Sequence, residues 1–186
     1  ADIATDNIIL DQGGVFAIDT WFRTLDSGVI FGYQDAVYPS TPTGFTPALY
    51  VGADGLLRGA IWQASLVTPL TSSSAVNDGQ WHHAAVVAGN ARHHLYLDGS
   101  LVGTYEDRVV HGDFFSAQIG VGSTGNWPAA AAGWFPYRGD VASLTVWGGI
   151  LSAAEIANLA VSPPIDTPDN STAAFDGSGD AIIVAD

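Results

Sequence analysis

The pair Asp98-Gly99 stands between two strand-like runs, and it limits the fold of this chain more than any other feature. A two-residue hairpin turn of the I′ type needs positive φ at both positions, which Asp-Gly supplies at low cost. Before the pair, residues 93–97 alternate, with Leu95 and Leu97 on one face and His94 and Tyr96 on the other. After it comes a third run, 100–105, and a further run, 81–88, precedes the polar turn Ala88-Gly-Asn-Ala-Arg92. Residues 78–105 therefore predict an antiparallel three-stranded meander, and the rest of the chain must supply strands around it.

Those strands are readable. Residues 6–10 are a short apolar candidate, and 15–23 alternates Phe16, Ile18, Thr20 and Phe22 against Ala17, Asp19, Trp21 and Arg23. Residues 29–33 form another run, and 48–51 with 56–63 read as a hairpin across Ala53-Asp54-Gly55. Residues 117–121 and 139–147 complete the set, whereas 65–75 is polar and Ser/Thr-rich and leads to the central meander. Two long irregular segments interrupt the pattern, 34–47 and 122–136. Three prolines in the first, Pro39, Pro42 and Pro47, argue against a central strand there. Loops of that length in a compact domain usually carry function.

Ser152-Ala-Ala-Glu155 is a capping box and opens one short helix over about 152–160. The chain then divides: 1–162 reads as the main domain, the Pro- and Asp-rich stretch 163–172 as a linker, and 173–186 as a terminal strand. The tail segment Asp180-Ala-Ile-Ile-Val184 echoes Asp6-Asn-Ile-Ile-Leu10. Either the tail packs on the same sheets, or it begins a further repeat.

At 186 residues the length suits a single domain with a sizeable core. Several function classes are excluded by composition. A net charge of −14, with five Arg and no Lys, repels phosphate backbones and sets nucleic-acid binding aside. The absence of Cys removes disulfides and thiolate chemistry. No apolar run approaches the roughly 18 residues of a membrane span.

Taken in order, several short motifs resemble the concanavalin A-like, laminin G-like jelly-roll domains. They are Phe16-Ala-Ile-Asp-Thr-Trp-Phe22, Asp78-Gly-Gln-Trp-His-His83, Leu95-Tyr-Leu-Asp-Gly99, Ile119-Gly-Val-Gly122, Tyr137-Arg-Gly-Asp-Val141 and Leu151-Ser-Ala-Ala-Glu-Ile156. The resemblance implies an all-β fold, an antiparallel two-sheet β-sandwich with one short helix. It also implies an extracellular setting, sugar or protein partners, and in many members calcium. The cysteine-free, acidic composition points to a bacterial surface or secreted module.

Catalysis is not expected. A retaining glycosidase needs two carboxyls about 5–5.5 Å apart, yet the chain has two Glu, Glu106 and Glu155, and no strand carries acids at i and i+2. The adjacent pairs His82-His83 and His93-His94 point to opposite faces of their strands, so neither pair chelates one metal by itself. Aromatic residues in the long loops are the better signal, because sugar rings stack their C–H faces on them while polar groups take the hydroxyls. Tyr33, Trp127, Trp134 and Tyr137 are the stacking candidates, with Gln34, Asp35, Asn126 and Arg138 as polar partners. Asp176, Asp180 and Asp140 are the candidate calcium ligands, since hard cations take carboxylate oxygens. The expected function is non-catalytic carbohydrate recognition at a cell surface or outside the cell, with calcium as a candidate cofactor. Neighbouring domains of the same protein are expected as further partners. The alternative is a structural or protein-binding spacer repeat of a large adhesin.

Overall fold

The structure, a computed structural model, describes residues 15–61, 68–107, 116–165, 173–177 and 182–184. The strand candidate at 6–10, together with Asp180, lies outside the described residues. In chain order the elements are β1 (Phe16–Arg23), β2 (Gly28–Gln34), β3 (Phe45–Val51), β4 (Leu56–Gly59), β5 (Leu70–Ala75) and β6 (His82–Gly89). There follow β7 (Arg92–Leu97), β8 (Ser100–Glu106), β9 (Ser116–Ile119), β10 (Arg138–Trp147), α1 (Ala153–Leu159), β11 (Ala173–Asp176) and β12 (Ile182–Val184). They build two six-stranded sheets, ordered β11-β10-β1-β6-β7-β8 and β12-β9-β2-β3-β4-β5.

The meander forms as its turns require. Asp98 and Gly99 take φ of 50° and 75°, and the preceding turn places Asn90 and Ala91 at 53° and 56°. Residues Ala84 to Gly89 pair in register with Leu97 to Arg92, so Val86 and Leu95 face the interior together. The main core lies between the sheets: Phe16, Ile18, Phe22, Val86 and Leu95 from the first meet Phe31, Leu49, Leu57 and Ile119 from the second. Burial on this scale is the dominant stabilising contribution.

The outer side of the first sheet is covered by the helix. Ser152 caps it through the expected reciprocal bonds with Glu155, and Ile156 is buried against Ala17, Ala85, Val87 and Tyr96, with Trp147 and Leu151 at the margin. Beside this seam Asp19 accepts hydrogen bonds from His83 and from the Trp147 indole, and both Asp19 and His83 are buried.

Two elements differ from the sequence reading. Pro47 lies inside β3, a central strand, although the prolines of 34–47 argue for a loop. The pairing explains this: Tyr33 opposes Thr46 and Phe31 opposes Leu49, so Pro47 and Ala48 sit where the register shifts. At such an irregularity no ladder donor is required of proline. Likewise the Ser/Thr-rich stretch yields β5, which closes the second sheet as an edge. An edge strand needs few apolar residues, and β5 buries Ser72, whose hydroxyl accepts from the Leu57 amide.

The tail packs in cis on both sheets. β11 pairs with β10 and β12 with β9, so the two short strands are the outermost of their sheets. Phe175 is buried in the main core beside Tyr137, their rings 6.2 Å apart. Gly120 makes the room, with φ of +84° and a hypothetical Cβ only 2.0 Å from the Phe175 ring.

Candidate functional site

The two long loops meet on the outer side of the second sheet. The later one, residues 122–136, is not irregular: it doubles back on itself. Phe135 donates to the Gly122 carbonyl at 2.9 Å and Thr124 to that of Gly133 at 2.8 Å, while Ser123 and Trp134 form a bridge. Val29 of β2 ties the returning limb down by donating to the Phe135 carbonyl at 3.0 Å. The tip is held by Ala53, which donates to Ala129 at 2.7 Å, and by the Tyr50 hydroxyl, which donates to Pro128 at 3.0 Å.

This flap carries the two tryptophans onto aromatic supports. Trp127 stands edge-on to Tyr50, centroids 6.3 Å apart at 84°, and is half-buried. Trp134 stands edge-on to Tyr38 of the earlier loop, 5.2 Å apart at 84°. That second contact joins the loops. Asn126, one residue before Trp127, is exposed at the rim.

Beneath Trp127 lies a charged support. Tyr50 and Arg58 are paired across β3 and β4, and the Arg58 guanidinium sits 5.9 Å over the Tyr50 ring. Asp54 accepts from both terminal nitrogens of Arg58 at 2.7 and 2.6 Å. That hydrogen-bonded ion pair pulls the Asp54 carboxyl down to about 2. Burial pushes the Tyr50 phenol well above its ordinary value. The group is a rigid, oriented platform for one half-exposed tryptophan.

The predicted residues do not all come together. Asn126, Trp127 and Trp134 are brought together on the flap. Asp35 lies at the base of the earlier loop, but its carboxylate is occupied there, accepting from the Thr43 and Gly44 amides at 2.8 and 2.9 Å and from the Thr43 hydroxyl. Tyr33, Gln34 and Tyr137 are corrections: all three are buried, at 1%, 0% and 0% exposure. Tyr33 and Tyr137 belong to the main core, where the Tyr137 hydroxyl donates to the Arg23 carbonyl at 3.0 Å. Gln34 alternates with Tyr33 and so faces away from that core, yet both its amide atoms are buried without a hydrogen-bond partner. Gln118 faces the same way on β9 and donates to Ser116 at 3.2 Å, but its Oε1 is likewise unpartnered.

Arg138 and Asp140 go elsewhere. They line a cleft of about 350 Å³ with Arg23, Thr24, Leu25, Asp26, Gly79 and Gly139. Asp140 is paired with Arg23 at 2.7 Å. Arg23 also lies 4.8 Å over the Trp81 ring, and Arg138 approaches Asp26 at 3.5 Å. Asp176 is exposed on β11 opposite Arg138. Asp140 is thus engaged by an arginine and not by further acidic groups, and among the described residues no group of three or more His, Asp or Glu side chains could hold a metal ion.

The histidine pairs do not meet. The register of β6 on β7 puts His93 opposite Ala88, whereas His82 and His83 lie beyond Leu97 at the other end of the hairpin. His82 instead bridges Asp98 at 2.9 Å and Asp78 at 3.2 Å, and the Asp98 hydrogen bond raises its pKa. Burial pushes His93 down to about 4.

With this geometry in view, a laminin G-like family model matches residues 1–157. The chain belongs to the concanavalin A-like lectin/glucanases superfamily. Solved structures with the same jelly-roll fold include a heptameric SAP-like pentraxin from Limulus polyphemus, 22% identical, with a TM-score of 0.53 over 92% of this chain and 82% of that one. A putative carbohydrate binding protein from Bacteroides ovatus is 16% identical, with a TM-score of 0.55 over 89% of this chain and 46% of that one. Trypanosoma rangeli sialidase in complex with sialic acid is 17% identical, with a TM-score of 0.53 over 81% of this chain but 23% of the sialidase. Comparison with curated protein sequences returns no match. These likenesses establish the jelly roll; the flap and its aromatic supports are features of this chain's own residues.

Sequence reasoning missed Tyr50, Arg58 and Asp54. The signal was present, because the hairpin read across Ala53-Asp54-Gly55 sets Tyr50 and Arg58 on one face by simple alternation. What the sequence does not show is that the flap folds down onto that face.

Proposed function

We propose that the flap, with Trp127 on Tyr50 and the Arg58–Asp54 pair beneath it, is a non-catalytic carbohydrate-binding surface. The observation that carries this reading is the junction of the two long loops through Tyr38 and Trp134, which presents Trp127 half-exposed beside the exposed Asn126. A half-exposed indole on a fixed support offers an apolar plane to the C–H face of a sugar, and adjacent polar groups orient the hydroxyls. The Bacteroides ovatus structure, itself described as a putative carbohydrate binding protein, supports the same class of ligand.

Non-catalytic binding is favoured over hydrolysis because the carboxylates beside the flap are engaged, Asp54 by Arg58 and Asp35 by its own loop. A glycosidase requires one free nucleophile and one proton donor facing each other. Calcium assistance, a bacterial adhesin parent, and a secreted or surface location are parts of the same proposal, supported by the acidic, cysteine-free composition.

The test is a glycan-array screen of the folded chain with calcium and with EDTA, repeated with Trp127→Ala. Binding that falls at least about tenfold in Trp127→Ala, at unchanged melting temperature, is the expected result, as for loss of a central aromatic contact. Loss in EDTA adds calcium to the site, and retention removes it. A folded chain that binds no glycan in either condition overturns the reading in favour of a spacer or protein-binding repeat.

A further inference from the structure

The tail strands offer a second interaction, independent of the flap. β11 and β12 are the outermost strands on one side of both sheets, so removing them breaks one strand pair in each sheet and withdraws Phe175 and Ala173 from the core. The slot they leave is specific. Gly120 opens a space that a Cβ would close at 2.0 Å from the Phe175 ring, and Tyr137 forms the neighbouring wall. These strands also lie beyond residue 157, where the family match ends, across a stretch rich in Pro, Asp and Ser. Finally, the pattern Asp-x-Ile-Ile-aliphatic occurs twice in the sequence, at 6–10 and at 180–184, and Ile182 to Val184 of the second occurrence take the one edge of β9 that β2 leaves.

We propose that the tail is an exchangeable strand, and that its alternative partner is the same slot on a second copy of this chain. Every copy carries an identical slot and an identical tail. A tail released from its own body therefore regains the same ladder bonds and the same Phe175 seat in another, and the free-energy difference reduces to association entropy and charge repulsion. Reciprocal exchange gives a closed dimer, and one-directional exchange gives a head-to-tail chain. Because each copy carries −14 at neutral pH, exchange is opposed at low ionic strength and promoted by salt.

The absence of native cysteine makes the test direct. Arg138 and Asp176 are cross-strand partners of β10 and β11, and both are exposed. Opposed antiparallel positions lie at disulfide distance. Full-length Arg138→Cys and Asp176→Cys chains are mixed, warmed toward the unfolding transition, cooled and oxidised. The proposal expects a mixed disulfide severalfold above the symmetric dimers that each variant forms alone, rising with salt and suppressed when Phe175→Ala is added to the Asp176→Cys chain. The Arg138→Cys/Asp176→Cys double variant tests whether the bond itself can form, since it closes within one chain when the tail stays in cis. A double variant that closes only intramolecularly, with a mixture that gives no excess of mixed disulfide at any salt concentration, overturns the proposal.

Discussion

The outer sides of the two sheets are built in opposite ways. On the first, α1 lies over Ala17, Ala85, Val87 and Tyr96, and the buried carboxylate of Asp19 accepts bonds from His83 and Trp147. On the second, the flap leaves Trp127 and Trp134 half-exposed, and beneath this side of the sheet Gln34 and Gln118 retain unpartnered amide atoms. On the first side the apolar seam is closed and the carboxylate is satisfied, while Nδ1 of the buried His83 beside it has no hydrogen-bond partner. The second side bears the cost at Gln34 and Gln118, since a buried amide without a partner forfeits about 1–3 kcal/mol. Unpartnered buried atoms occur in the first sheet as well, at His83 Nδ1 and at both ring nitrogens of His93, so what sets the second side apart is its half-exposed tryptophans.

The contrast is broken most forcefully from the helix side. Ile156→Ala should lower the unfolding free energy by about 2–5 kcal/mol, the usual cost of emptying a buried aliphatic site, with glycan binding unchanged in what remains folded; urea titration alongside the array measures both. On the opposite side the sign should reverse. Gln34→Met replaces an unpartnered buried amide by an apolar chain of similar length, and the urea midpoint should rise by the equivalent of about 1 kcal/mol. A fall of that size would mean that the amide is satisfied. Ser152→Ala removes the helix cap and should cost about 1 kcal/mol, readable as a lowered melting temperature without loss of the sandwich.

The smallest effect concerns pH. His82 has its pKa raised above the ordinary 6.5, first by the hydrogen bond to Asp98. A raised folded value means that its contribution is complete below 6.5 and is lost as pH rises through the folded pKa. For a partly exposed pair this amounts to less than about 1 kcal/mol. His82→Gln should therefore flatten the decline in urea midpoint on the alkaline side of 6.5, and an unchanged slope would show that the bridge to Asp78 and Asp98 contributes nothing.

How much of this was legible depended on the range of each signal. The turn at Asp98-Gly99, the alternation of β1 and the Ser152–Glu155 box involve neighbours in sequence, and each forms where its residues place it. Pro47 and β5 were harder, because a central proline is tolerated only at the register shift that its partner strand creates, and an edge strand needs no apolar alternation. Among the site candidates, the sequence picked out Trp127, Trp134 and Asn126, which the structure gathers on the flap. It placed Tyr33, Gln34 and Tyr137 on the surface because loop-flanking aromatics and amides look alike whether they point outward or inward.

By itself, then, the sequence determined the sandwich, the meander register, the capped helix and the acidic, cysteine-free character of the surface. Tertiary structure alone decided that Tyr38 meets Trp134, that Arg58 and Asp54 support Trp127 through Tyr50, that Asp140 is held by Arg23, and that Phe175 fills the core beside Gly120. The reason is physical. Turns, caps and strand faces follow from dihedral preferences between near neighbours, whereas these contacts join distant segments and exist only once the two sheets have closed on each other.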